Sequence, residues 1–223
     1  MATLPLQAPQ PQLRLVLAVS LDGRLAPPGG GAAQIGGRGD RRVLEEALAW
    51  ADACLIGART LRLHGSTCQI RAIDLLEQRQ RAGRSPQPPA VVVSRSAQFD
   101  PHLRFFEQPL DRWLLTPAPA EPTGPVLAGF TRQLPLVDWS AALVDLALAA
   151  GPRLLLLGGA ELAAQLLAIN LVDELQLTLC PRLLGGVHSW LPAGVALAPN
   201  RWRLLEQRPL DGEELLLRYG RLP

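Results

Sequence analysis

The chain contains no lysine: all 22 of its basic residues are arginine. That excludes a Schiff-base lysine and the lysine of a phosphate-binding P-loop, and fits a genome rich in G and C. Cysteine is scarce. Cys54, Cys68 and Cys180 are odd in number and scattered, so they give neither a metal-ligand spacing nor a disulfide framework, and a reducing cytoplasm is the expected setting. Cys54 and Cys180 sit in apolar runs and are expected in the core. No apolar run approaches the ~20 residues that span a bilayer. The opening "MATLPLQAPQPQ" lacks the basic start and apolar middle of a secretory signal. Residues 1–12 are expected as a frayed Pro/Gln-rich tail, with 13–223 forming one domain. The net charge of +2 is too small to argue for nucleic acid.

What the chain does have is a globular composition, 48% hydrophobic and 19% charged, with the length to bury a substantial core. Short apolar runs read as strands at 13–20, 52–57, 89–94, 112–116, 153–159 and 174–181. Two more, 201–210 and 213–220, flank Asp211-Gly212, a hairpin signal. Between them lie helical patterns. The segment 40–51 places Val43, Leu44, Ala47, Leu48 and Ala51 on one face, with Asp40 as expected N-cap. Further helices are expected at 70–82, at 140–150 (starting at a Ser140 cap and ending at Gly151-Pro152) and at 160–170. The Pro-rich 116–125 reads as a surface loop. Strands alternating with helices imply an α/β fold with a mostly parallel, mixed sheet flanked by helices and closed by a C-terminal antiparallel hairpin.

In such sheets ligands bind beyond the carboxyl ends of the parallel strands. The segments there are Ser20-Leu21-Asp22-Gly23, Gly57-Ala58-Arg59-Thr60, Ser94-Arg95-Ser96 and Gly158-Gly159-Ala160-Glu161. Glycine backbone before a helix start suits a pyrophosphate, though a plain tight turn looks the same in sequence, and the longer G-x-G-x-x-G fingerprint is absent. Ser94-Arg95-Ser96 suits a phosphate monoester or an ordinary exposed turn. Within 57–71, Thr60 suits a helix cap or a phosphate contact, Arg71 an anionic substrate and His64 proton donation or a simple loop position. "GRGDRR" at 37–42 is either an anion patch or a solvated helix start.

Taken together, "AVSLDGRLA" (18–26), "ADACLIGARTL" (51–61) with Arg71, "GGAELAAQLLAINLVDELQLTLCPRLLGG" (158–186) and the final hairpin resemble the riboflavin biosynthesis reductase (RibD C-terminal domain) family, which has the dihydrofolate reductase-like fold. The resemblance implies an NADPH-dependent pyrimidine reductase that passes a hydride to the ring-opened ribosyl imine of a phosphorylated substrate. It also implies a homodimer formed through the C-terminal strands. Neither H-x-E nor P-C-x-x-C is present, so the zinc deaminase site often joined to this family is missing. Carried over, the cofactor residues are Gly57, Thr60, Ser94, Arg95, Ser96, Gly158, Gly159, Ala160, Glu161 and Leu162. Asp22 and Arg71 face the substrate, and His64 is the candidate proton donor. The family has an acid where this chain has His64, often a Glu at Leu157, and a hydroxyl-rich segment at 32–37. Two alternatives therefore stay open: a reductase of the same fold for another small carbonyl, imine or pterin, and a nucleotide-binding paralogue without turnover.

Overall fold

The computed structural model describes residues 10–96, 98–117 and 127–223. Nine strands form one sheet: β1 (Gln12–Ser20), β2 (Ala53–Gly57), β3 (Ala90–Val93), β4 (Arg112–Thr116), β5 (Arg132–Pro135), β6 (Arg153–Leu156), β7 (Glu174–Cys180), β8 (Trp202–Pro209) and β9 (Leu215–Arg221). Their order is β5-β4-β3-β2-β6-β1-β7-β9-β8. The first seven in this order are mutually parallel, and β9 and β8 join antiparallel. The helices are α1 (Arg38–Trp50), α2 (Ala58–His64), α3 (Ile73–Arg81), α4 (Trp139–Ala150) and α5 (Ala160–Ala168). The mixed, mostly parallel α/β sheet expected from the strand-helix alternation is therefore present.

The central strands are buried on both faces, and their two-residue period sorts the core. Leu13, Leu15, Leu17 and Val19 of β1, Ala53 and Leu55 of β2, and Leu154 and Leu156 of β6 pack with α4 and α5. The intervening Val16, Cys54 and Leu155 pack with Ala47 and Leu48 of α1 and Leu75 of α3. Toward the β4 side, Ile56, Val92 and Leu114 meet Leu61 of α2 and a cluster of Phe99, Phe105, Phe106 and Phe130. Cys54 and Cys180 are both buried free thiols.

Several local expectations are corrected. Asp40 is not the cap of α1: the N-cap is Gly37, which offers no side chain, and Asp40 lies in the first turn. The missing cap comes from far away in sequence, because the Glu214 carboxylate accepts from the N–H groups of Gly37 and Asp40. Asp138, not Ser140, caps α4, accepting from the Ala141 N–H at 2.9 Å. The β8–β9 hairpin does turn at Asp211-Gly212, with Gly212 and Glu213 at positive φ. β6 ends at Leu156, leaving Leu157 to Gly159 as a connection. The helix α2 and strand β5 were not anticipated. Of the expected N-terminal tail, Gln12 already belongs to β1 and residues 1–9 lie outside the described residues; so does 118–125 of the Pro-rich loop. No described helix is long and apolar enough to cross a membrane.

Candidate active site

The carboxyl ends of β3, β2, β6 and β1 open into one cleft of about 1910 Å³. Pockets for one small ligand run to roughly 300–1,000 Å³, so this cleft is larger than a site for one small ligand needs to be. Its described lining includes six arginines, Arg41, Arg59, Arg62, Arg71, Arg95 and Arg104, against two carboxylates, Asp40 and Glu161. Such a wall attracts phosphorylated ligands.

The centre of the cleft is the β6–α5 connection. Gly158 has φ +84, a conformation that L side chains rarely adopt, and a Cβ on Gly159 would lie 2.6 Å from the Thr60 hydroxyl oxygen. The Gly159 N–H points at that same oxygen, at 3.3 Å. Both glycines are therefore required by geometry, and they leave the backbone bare. The next helix starts with Gly159 as N-cap and no side-chain cap, so its first N–H groups and the positive end of its dipole face the cleft. Leu162 is buried in the core, and only its backbone is available to a ligand. Arg59 crosses from α2 to Glu161 at 2.7 Å; both side chains are largely exposed.

On the β3 side, Ser94 is buried and its hydroxyl donates to the Ser96 carbonyl at 2.5 Å. Arg62 donates to the Ser96 hydroxyl at 3.3 Å and to the Gln98 carbonyl at 2.8 Å. Arg95 and Arg104 have no side-chain partner among the described residues. Two arginines thus join Arg95 that the strand-end reading did not name. The signal for Arg62 was its place one turn after Arg59, legible only once α2 is known to be a helix.

On the other side, Glu45 of α1 accepts from the N–H groups of Arg71 and Ala72 at 2.7 and 2.8 Å, and pairs with Arg41 at 2.6 Å. Burial pushes the Glu45 carboxyl up, but these donors outweigh it and the group is held below the ordinary carboxylate range. The Arg71 guanidinium is left free of side-chain partners among the described residues, at the cleft wall. His64 ends α2 just before Gly65 in the left-handed region. Burial pushes its imidazole down from its ordinary value, which leaves it unprotonated at neutral pH. Asp22 is not brought into the cleft. Its carboxylate accepts from the Ser20 hydroxyl at 2.5 Å and from the Leu184 and Gly185 N–H groups at 3.0 and 2.7 Å. These bonds hold it down at about 2, so its lone pairs tie two loops together.

The fit to a dinucleotide is good: bare backbone, an uncapped helix start and arginines stand in a row along the strand ends. A family model, the RibD C-terminal domain, matches residues 11–213. The chain belongs to the RibD C-terminal domain family. It is 27% identical over 187 residues to the 2,5-diamino-6-ribosylamino-4(3H)-pyrimidinone 5′-phosphate reductase of Archaeoglobus fulgidus, covering 81% of this chain and 84% of that protein. Among solved structures, a pyrimidine reductase-like protein from Corynebacterium diphtheriae superposes with a TM-score of 0.77 at 23% identity, over 99% of this chain and 96% of the other. Dihydrofolate reductase from Enterococcus faecalis, solved with NADP(H), superposes at 0.53 and 14% identity, over 95% and 97%. The solved structures give the chain a dihydrofolate reductase-like fold, and its curated relatives in Archaeoglobus fulgidus and Methanothermobacter thermautotrophicus are named as pyrimidinone phosphate reductases.

Proposed function

We propose that this protein is the NADPH-dependent reductase of a ribosylamino-pyrimidine 5′-phosphate in riboflavin biosynthesis, acting on the ring-opened imine of the sugar. The observation that carries the reading is the arginine-lined cleft spanning β3, β2, β6 and β1, with the bare Gly158-Gly159 backbone at its centre. When bound, the reduced nicotinamide supplies the hydride. The protein's own residues do the rest. The Gly158-Gly159 turn, the N–H groups of Ala160 to Leu162 and Thr60 hold the diphosphate. Arg95 and Arg62, with Ser94 and Ser96, hold the 2′-phosphate and so favour NADPH over NADH. Gly57 lets the ligand lie close over the end of β2. Arg71 holds the phosphate of the substrate, and the apolar Val16, Leu17 and Leu157 exclude water from the reacting end. Catalysis of this kind is mainly positioning.

A second reading, another small imine or carbonyl, is favoured by Leu157, which presents an apolar side chain to the cleft at the position where the family resemblance implies an acid. A homodimer fits the exposed edge strand β8, whose Leu204 and Leu205 face solvent; the expected cytoplasmic setting accords with a biosynthetic reductase. The decisive experiment follows NADPH absorbance with the ribosylamino-pyrimidine phosphate and identifies the ribityl product by mass spectrometry. Oxidation only with other imines would favour the second reading, and a preference for NADH would overturn the assignment of Arg95.

A further inference from the structure

We propose that Asp40 is the proton donor of this reduction, giving its carboxyl proton to the imine nitrogen. The proposal rests on the reductase reading above.

Position comes first. Asp40 projects from the first turn of α1 into the cleft lining. The other described carboxylate there, Glu161, is already paired with Arg59 at the solvent-exposed mouth. Asp40 lies by Thr178 of β7, and Thr178 is paired in register with Ala18 of β1. From β3 to β1 is three strand spacings, about 14 Å at ~4.8 Å each. Asp40 is thus at the opposite end of the cleft from Arg95, beyond the Gly158-Gly159 turn. A dinucleotide with its 2′-phosphate at β3 and its diphosphate at β6 would carry its reacting end toward β1, whose Ala18 is paired with Thr178 beside Asp40.

Its surroundings hold the side chain in place and favour its protonated form. A Cβ on Gly36 would collide with the Asp40 carboxyl, so the glycine leaves the space that the carboxyl fills. Burial pushes Asp40 above the ordinary carboxylate range; the Thr178 hydroxyl opposes this, nearby Glu214 adds to it, and Arg41 opposes it. The other titratable neighbours are thiols. Burial pushes Cys180 of β7 up to about 12 and also raises Cys68, so both stay neutral. The charged set around Asp40 is therefore Glu214 and Arg41.

The step balances. The imine carbon receives a hydride from the reduced nicotinamide dinucleotide. The C=N π pair takes the Asp40 proton and becomes an N–H bond. Asp40 is left as carboxylate and regains its proton from solvent, and the nicotinamide leaves oxidised. His64 ends α2, which packs on β2 and β3, away from the β1 end where Asp40 stands.

The test compares wild type, Asp40→Asn and Thr178→Val with NADPH and the ribosylamino-pyrimidine phosphate. Loss of a general acid lowers kcat by about a hundredfold or more, whereas dinucleotide Kd, read by tryptophan fluorescence, should stay within about threefold. The wild-type rate falls as pH rises through the Asp40 value. Thr178→Val removes the hydroxyl that favours the charged form, so it moves that fall to higher pH, and Asp40→Asn abolishes it. A raised carboxyl contributes stability at acid pH that is lost as pH rises through its folded value. Asp40→Asn should therefore unfold at or above the wild-type temperature at neutral pH, separating lost activity from lost fold. A kcat for Asp40→Asn within about tenfold of wild type, or a pH profile unmoved in Thr178→Val, overturns the proposal while leaving the reductase reading intact. If Asp40→Asn does not fold, the Thr178→Val profile decides. A wild type that oxidises no NADPH with this substrate overturns the reading, and the proposal with it.

Discussion

The Glu214 carboxylate accepts a hydrogen bond from the Asp40 N–H at 2.8 Å and from the Gly37 N–H at 2.5 Å, joining residues 174 positions apart in the first case. The tip of the C-terminal hairpin thus caps the first helix, which has no cap of its own. A Cβ on Gly39 would lie 2.6 Å from the Leu210 Cβ, so helix and hairpin meet backbone to backbone. Glu214→Gln turns one acceptor oxygen into a donor facing an N–H. Hydrogen bonds to charged groups are worth ~1.5–3 kcal/mol, so urea unfolding should show a loss of about 2 kcal/mol. A change of only a few tenths would mean that water caps α1 equally well.

Gly159→Ala tests the cofactor turn. The added methyl would sit 2.6 Å from the Thr60 hydroxyl oxygen, forcing the turn or Thr60 to shift and spoiling the backbone surface offered to a diphosphate. NADPH Kd should rise by about tenfold or more, and the thermal midpoint should fall slightly. Thr60→Ala in the same background removes the clash and should restore the midpoint. Unchanged Kd in the single variant would remove the turn from the binding site.

The sheet and most helices could be read from the sequence because strands buried on both faces leave clean apolar runs, as in 153–156 and 90–93. The two missed elements explain themselves. β5 is Arg132–Pro135, an edge strand with polar exposed residues and no apolar period to see. α2 is seven residues starting immediately after β2, with Arg at two of its exposed positions and no capping side chain. The Gly158-Gly159, Ser94–Ser96 and Arg71 segments do meet at one cleft, as the strand-end rule implies. Asp40 escaped notice as a cleft residue because an acid at a helix start looks like a cap. Only the distant Glu214 takes that role and frees it. Asp22 was misplaced for the converse reason, since a carboxylate beside a strand end looks free until Leu184 and Gly185 arrive from 162 residues or more away.

Arg71 is positioned by its backbone rather than its side chain, since Glu45 holds its N–H at 2.7 Å. Arg71→Ala should leave the fold and dinucleotide Kd unchanged. The substrate KM should rise by roughly 10- to 100-fold, the loss of a charge-assisted contact of ~1.5–3 kcal/mol. An equal rise in dinucleotide Kd would place Arg71 on the cofactor instead.

His64→Ala discriminates between the two candidate acids. Burial pushes the imidazole below its ordinary 6.5, so its acidic form is lost as pH rises through that lowered value and is scarce at neutral pH. Turnover of the variant at neutral pH should stay within about threefold of wild type, whereas removal of a working general acid costs 10²–10⁴-fold, roughly. A loss on that larger scale would return the proton-donor role to His64.

Asp52 offers a pH test at the opposite end of the sheet, where β2 and β6 begin. Its carboxylate accepts from the Arg153 backbone N–H and Nε at 3.0 Å each and from the Arg153 guanidinium again at 2.7 Å, with Arg84 at 3.3 Å. Burial pushes Asp52 up, but these donors prevail and hold it below its ordinary 3.8. A depressed carboxyl contributes stability above its unfolded value and loses it as pH falls through the folded one. Removing the charge leaves a partly buried Arg84 and Arg153 without their anion, at a cost of about 3 kcal/mol for Asp52→Asn at neutral pH, the low end for buried pairs because Arg153 is partly exposed. Urea unfolding should show that gap closing as pH drops below the unfolded value, 3.8, with kcat unchanged throughout because the cleft lies at the far ends of the same strands. A gap that stays constant with pH would assign the loss to packing against Gly151, whose own Cβ would meet the Asp52 carboxylate at 2.6 Å, rather than to charge.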